Sequence, residues 1–345
     1  MPSVAFGNRI IGDGQPIYLM ADLGLTNGGD LSRAKELIAI AAESRVDAVK
    51  FQMLESEKLL GDHSIEYTYP TMCDGPHTEN MLEMFKGLEY SDDEWAELKQ
   101  TSDNHGLDMI VTCHYEGGVE RTNRLDLITN KICTWSLSHR RMIEALAANG
   151  KPLVFDTGTI TRADLIALED VYKKAGGGDL VVLHDFHTGV EAEMNFRAMD
   201  VYRQLGMVAG YTPQGRSDWL DYMSVGMDAA ILEKRLTTSR KIPANGHWKA
   251  HEPDEFSEWV ANIRRCETAK GNAVLTPTAK DLEDAKKYYK SAYLLRDVKK
   301  GEPIQQSDLE FKRPGTGLSS WVVSKQYIGW PYPRDFSANE MLEIG

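Results

Sequence analysis

The sequence predicts a (β/α)8 (TIM) barrel followed by a small β-rich module, and three observations carry that prediction. Short apolar runs alternate with longer helix-period segments through the first 275 residues, the sign of parallel strands joined by crossover helices. There are eight such runs, and nearly all of them end in polar or ionisable residues. From Ser291 onward the pattern changes to short strands and turns.

The eight runs are Ile17 to Asp22, Asp47 to Gln52, Asp108 to Thr112, Asp126 to Lys131, Pro152 to Asp156, Leu180 to His184, Met207 to Tyr211 and Ala229 to Glu233. After the first, Asp30 is placed to cap a helix. Ala34, Leu37, Ile38 and Ala41 then fall at i, i+3, i+4 and i+7, one apolar stripe to lay on a sheet. No Gly-x-Gly-x-x-Gly turn follows that run, which favours a closed barrel over an open dinucleotide-binding sheet. Barrel enzymes carry their chemistry at the C-terminal ends of the strands. Those ends read Asp22; Lys50 and Gln52; Thr112 and His114; Lys131; Asp156; His184, Asp185 and His187; Thr212 and Gln214; Glu233 and Arg235. Recurrence at one end of successive strands points to a shared pocket. The barrel is assigned to 1–275. Residues 276–290, charged and helix-like with Pro277 as a breaker, form a connecting arm, and 291–345 form the module. That module is small enough to be expected to pack on the barrel or on a second subunit.

Composition narrows the function. Of 345 residues, 42% are hydrophobic and 26% charged, enough to bury a sizeable core. The formal charge of −13 and the lack of a basic tract argue against nucleic acid and anionic membrane surfaces as partners. An anionic substrate then requires positive charge concentrated in one pocket. Neither a secretory leader nor an apolar run long enough to span a bilayer is read from the sequence. Cys73, Cys113, Cys133 and Cys266 are widely spaced, which fits reduced thiols in a cytoplasm.

The segments MADLGLTNGGDLSRAKELI, DAVKFQ, MFKGLEYSDDEWAELKQ, KPLVFDTG, PDEF and KRPGTGL, in that order, resemble the sialic acid (N-acetylneuraminate) synthases over nearly the whole chain. The C-terminal module is similar to the antifreeze-like SAF domain. The resemblance implies condensation of phosphoenolpyruvate with an open-chain N-acyl sugar, giving a 2-keto sugar acid and phosphate. Lys50, Thr112 and Lys131 match family positions that hold phosphoenolpyruvate, and Thr134 and Thr212 replace serines while keeping a hydroxyl. Gln52 and Glu233 also match. So does Arg313, at the SAF position that in the family reaches the sugar in a partner's barrel, which implies a domain-swapped homodimer.

The chain also departs from the family. Asp156 replaces a serine of the anion cradle, and a carboxylate there repels a phosphate unless a cation compensates. The two histidines that hold the family's divalent ion (Mn or Mg) are replaced by Gln214 and Arg235, so loss of that ion is expected and no metal ligand is assigned. The sugar-binding glutamate is shortened to Asp22, the Asn-His pair becomes Thr26-Asn27, Thr-Asn-x-Tyr becomes Phe186-His187-Thr188-Gly189, and Pro-Asp becomes Asn245-Gly246. The acceptor is therefore expected to differ from N-acetylmannosamine.

In the leading reading, Lys50 and Lys131 bind the anion while Thr112, Thr134 and Thr212 donate hydrogen bonds. Glu233 is the base, Arg235 the electrophile in place of the ion, and Asp22 and Gln52 orient the acceptor, with His187, Gln214, Asp156 and Arg313 lining the site. Three alternatives stand beside it. One is a relocated metal on His114, His184, Asp185 or His187. Another is a metal-independent lyase or transferase using Asp156 or His187 as a new acid or base. The third is a sugar-acid or phosphosugar binding protein without turnover.

Overall fold

The computed structural model describes residues 2–12, 14–73 and 75–344. The chain divides into two compact units, Met1–Gly271 and Asn272–Gly345.

The first unit is a closed barrel of eight parallel strands. They are β1 (Tyr18–Asp22), β2 (Ala48–Met53), β3 (Asp108–Cys113), β4 (Asn130–Ile132), β5 (Leu153–Asp156), β6 (Leu180–His184), β7 (Val208–Tyr211) and β8 (Ile231–Arg235). β8 closes on β1, pairing Glu233 with Met20 and Arg235 with Asp22. The first crossover helix, Leu31–Glu43, is capped by Asp30, whose carboxylate accepts the backbone N–H groups of Ser32 and Arg33. It buries Ala34, Leu37, Ile38 and Ala41 as the spacing predicts. The last, Pro253–Lys270, lays Phe256, Trp259, Val260 and Ile263 against the barrel wall.

The strand period of two sorts the side chains. Leu19, Ala21, Val49, Phe51, Val111, Ile132, Phe155 and Val182 belong to the large core shared with the helices. Tyr18, Met20, Ala48, Ile110, Val154, Val181, Leu183 and Ile231 belong to a second cluster filling the barrel. Continuing this second set by two residues along each strand gives Asp22, Lys50, Thr112, Asp156, Asp185 and Glu233, so the interior changes from apolar to ionic at the C-terminal end. The opposite end is plugged by a hairpin, Ser3–Phe6 with Arg9–Gly12, whose Val4, Phe6 and Ile11 join the inner cluster. The Phe6 and Tyr18 rings meet edge to face at 5.0 Å.

The fourth strand is shorter than its apolar run. Asp126 adopts a left-handed conformation (φ 47°) and the Thr129 hydroxyl is bonded to the Pro152 carbonyl, so pairing begins only at Asn130. The plug and a second hairpin, Glu66–Tyr69 with His77–Asn80, were not anticipated from the sequence. Their strands are four residues long and the second is largely polar, too little pattern to register as strands.

The second unit begins with a helix, Ala279–Tyr288, held by a reciprocal cap between Thr278 and Asp281. A two-stranded sheet follows, Ser291–Leu294 with Leu309–Lys312, and then a short helix, Ser320–Gln326. Ala292, Leu294, Val298, Ile304, Val323, Tyr332, Phe336 and Leu342 form its core. The Arg296 guanidinium grips the buried Asp308 carboxylate with two bonds of 2.9 and 3.1 Å. Arg313 is exposed, donating from Nε to the Tyr288 carbonyl at 3.0 Å with its guanidinium over the Tyr288 ring. Among the described residues no helix is long and apolar enough to cross a membrane.

Candidate active site

Four cations and four carboxylates converge at the C-terminal mouth. Lys50 Nζ lies 2.7 Å from Asp22 Oδ1 and 3.0 Å from Glu233 Oε1. Lys131 Nζ lies 2.9 Å from Asp156 Oδ1 and 3.3 Å from Glu233 Oε2, so Glu233 bridges the two lysines. Arg235 donates from Nε (3.0 Å) and Nη2 (2.8 Å) to Asp22 Oδ2. The remaining pair is Lys249 and Asp185, linked through Gln214. Gln214 Nε2 donates to Asp185 Oδ1 at 2.8 Å, and Lys249 Nζ donates to Gln214 Oε1 at 3.3 Å.

Burial sharpens these charges. It works against ionised Asp22, but Lys50 and Arg235 outweigh it and hold the carboxyl far below the usual carboxylate range. It likewise opposes the charge on Lys131, which Asp156 and Glu233 restore. Asp156 is different. Burial raises it, Lys131 only partly offsets this, and Glu233 and Asp185 add repulsion, leaving its pKa at about 6. Asp185, raised mainly by burial, also titrates at about 6. His114 is driven down to about 3 by burial and then by Lys50 and Lys131, so its imidazole is neutral.

Among the described residues, the buried Thr112 hydroxyl and His114 Nε2, beside the lysines, have no hydrogen-bond partner. Thr112 sits in register between Gln52 on β2 and Lys131 on β4. Unsatisfied buried polar atoms carry a desolvation cost that a bound ligand relieves. Thr134 Oγ1 lies 3.1 Å from Thr159 Oγ1. Gly158 matters here: a Cβ at this position would come within 2.6 Å of His187 and 3.1 Å of Thr134, so its bareness lets the two approach. His187 packs against the exposed Trp135 ring (centroids 4.7 Å apart, planes tilted by 35°) with Nε2 3.5 Å from Asp185. Thr212 is buried just beyond β7, and Gln52 packs on Gly24.

The barrel thus brings together Asp22, Lys50, Thr112, Lys131, Asp156, His187, Gln214, Glu233 and Arg235. Three expectations change. Arg235 and Asp22, read as free to meet substrate, are bound to each other. His184 turns outward, as the alternation requires, with Nδ1 3.0 Å from the Tyr202 hydroxyl and Nε2 2.7 Å from the Met194 carbonyl. It cannot join a relocated metal site, and the described residues contain no group of three or more His, Cys, Asp or Glu able to hold an ion. Lys249 was missed, since it belongs to no strand end and enters from the loop after β8.

The fold and the mouth define an eight-stranded barrel with two buried lysines, Lys50 and Lys131, bridged by Glu233 at the strands' C-terminal ends. The chain belongs to the NeuB family, whose model matches residues 37–275. It is 27% identical over 338 residues, 96% of this chain and 94% of the relative, to the N,N'-diacetyllegionaminic acid synthase of Legionella pneumophila. It is 24% identical over 267 residues to the human N-acetylneuraminate-9-phosphate synthase, covering 76% of this chain and 74% of that one. In fold it resembles the N-acetylneuraminic acid synthetase of Leptospira borgpetersenii serovar Hardjo-bovis, solved in complex with citrate, with a TM-score of 0.71, 23% identity and coverage of 82% and 94%.

The residues at the two positions where the family has metal-binding imidazoles do not fit a divalent ion. A fixed guanidinium occupies one, its partner carboxylate Asp22 already claimed. The amide at the other is held between Asp185 and a lysine. A dication there would meet Arg235, Lys249 and Lys50.

Proposed function

We propose that this protein condenses phosphoenolpyruvate with the open-chain aldehyde of an N-acyl sugar or related acceptor, giving a 2-keto sugar acid of the nonulosonic type and phosphate. The observation that carries the reading is the pair of buried lysines, Lys50 and Lys131, next to the unpartnered Thr112 hydroxyl and His114 Nε2. The lysines and the hydroxyl are donors for an anion, and Nε2 is a further one in the tautomer whose Nδ1 accepts from Cys133 Sγ. Glu233, between the lysines, is the base that activates water for attack on C2 of the enol phosphate. His187 and Gly189 stand where the family has an amide and a phenol, and the exposed Trp135 ring beside His187 offers the acceptor an apolar surface in their place.

Incubation with phosphoenolpyruvate and a panel of aldoses, following phosphate release, tests the reading. Release with at least one acceptor supports it. Binding of phosphoenolpyruvate with no release from any acceptor favours a sugar-acid binding protein, and failure to bind it removes the reading.

Asp156 gives this site a pH dependence. Above about pH 6 its carboxylate repels phosphate, and below it the neutral acid donates a hydrogen bond. Phosphoenolpyruvate affinity is therefore expected to weaken about tenfold between pH 6 and 7.5. Asp156→Ser should flatten that dependence and bind more tightly at pH 7.5, as calorimetry would show. Equal slopes in the two proteins would remove Asp156 from the cradle.

On the same reading the protein is a homodimer in which Arg313 contacts the acceptor in the other copy's barrel. Light scattering should then give twice the chain mass, and Arg313→Ala should raise the KM for the acceptor while leaving that for phosphoenolpyruvate unchanged. A monomer, or an unaltered acceptor KM, contradicts this.

A further inference from the structure

We propose that Lys249 is the catalytic acid of this site, its ammonium group binding the acceptor's carbonyl oxygen and protonating it as the carbon–carbon bond forms. The proposal rests on the condensation reading above and names the group that does the work of an electrophile in this chain.

Lys249 is held in place. It ends the short 3-10 turn His247–Lys249, entered through Gly246 in a left-handed conformation (φ 89°). The turn is tied back to the barrel wall by a 2.7 Å bond between Thr237 Oγ1 and His247 Nδ1. Backbone bonds of 2.9 Å from Thr237 to His251 and from His251 to Arg235 complete the tie. A side chain on such a support is positioned as firmly as one on a strand.

Among the four cations at the mouth, Lys249 is the one with no carboxylate within 4.0 Å among the described residues; it donates to the Gln214 amide oxygen and lies 5.9 Å from the centre of the Trp248 ring. Lys50 and Lys131 are neutralised by carboxylates that hold their protons tightly. Arg235 does not give up its proton in proteins at all, so it can polarise but cannot serve as an acid. The groups facing Lys249 come from several strands: Arg235 from β8, Asp22 from β1, Lys50 from β2, and Asp185 and His187 after β6. Repulsion by Arg235, then burial, brings the Lys249 ammonium down to about 7, where a general acid is most effective.

The step balances. The enol carbon C3 bonds to the aldehyde carbon, the carbonyl π pair moves to oxygen, and that oxygen takes the proton from Lys249 Nζ. Water, giving one proton to Glu233, adds to C2, and the proton of the resulting hydroxyl goes to the departing phosphate as the keto group forms. Solvent reprotonates Lys249 and takes the proton from Glu233.

Four experiments on the full-length protein test this. At saturating phosphoenolpyruvate, where the effect of Asp156 on affinity does not enter, wild-type turnover with a productive aldose should fall as pH rises through about 7. Lys249→Arg, which keeps the charge but cannot release the proton, should lose that falling limb and turn over about 10²-fold more slowly. Lys249→Met should turn over at least as slowly while binding phosphoenolpyruvate with wild-type affinity by calorimetry. Peptide-mapped labelling by an amine reagent, which needs no turnover, should give Lys249 a midpoint near 7. A Lys249→Arg profile that keeps the wild-type limb and rate, or a labelling midpoint near 10, overturns the proposal while leaving the condensation reading intact. Wild-type protein that releases no phosphate with any aldose overturns both. If Lys249→Met melts below the assay temperature, Lys249→Arg and the labelling midpoint decide.

Discussion

Glu233→Gln is expected to slow phosphate release by about 10²- to 10⁴-fold while leaving phosphoenolpyruvate bound as tightly as before, or more so. The amide has the same shape but cannot accept a proton from water. In the native site the two carboxylate oxygens lie 3.0 Å from Lys50 Nζ and 3.3 Å from Lys131 Nζ, at the point where both cations meet. Removing that negative charge frees part of each lysine's field for the incoming anion, so affinity and turnover should move in opposite directions. Steady-state kinetics with calorimetry distinguishes this from a structural role, which would depress both. A turnover number near the wild-type value would contradict the assignment of Glu233 as base.

The second large effect is expected from Lys131→Met. Lys131 is almost wholly buried, with 1% of its side chain exposed, and is the common partner of Asp156 and Glu233. Without it two carboxylates face each other inside the barrel, which should cost about 3–5 kcal/mol of stability as well as abolishing phosphoenolpyruvate binding. The loss should depend on pH with a definite sign. Asp156 already titrates at about 6, above its unfolded value, so the stability linked to its protonation is present at low pH and is lost as pH rises through that region. Without the lysine the window moves higher still. Thermal melts at pH 5 and pH 8 should show the variant much closer to wild type at pH 5, and an equal deficit at both pH values would contradict the pairing.

The barrel was legible because its strands carry their own punctuation. An apolar run ending in Asp22, Lys50, Asp156 or Glu233 marks both a strand and the end that faces the pocket. The same period of two decides His184, since with Leu183 inside the barrel, His184 must face the helices and Asp185 the mouth. The pairing of charges was not legible. Asp22 and Arg235 are 213 residues apart, and only closure of β8 on β1 brings them into register. Lys249 was hidden for a related reason: a loop between Leu236 and Ala250 has no period from which a side-chain direction could be read. The positions of Gln214 and Arg235 showed what had replaced the imidazoles, but not that a third residue, Lys249, stood beside them.

In the proposed condensation, protein cations stand where the family's sequence pattern has the ligands of an ion. The most direct measurement is phosphate release from phosphoenolpyruvate and a productive aldose, run with metal-stripped protein in excess chelator and again with added manganese or magnesium. The rate should be the same in both. Release that stops in chelator and returns with the metal would contradict that reading.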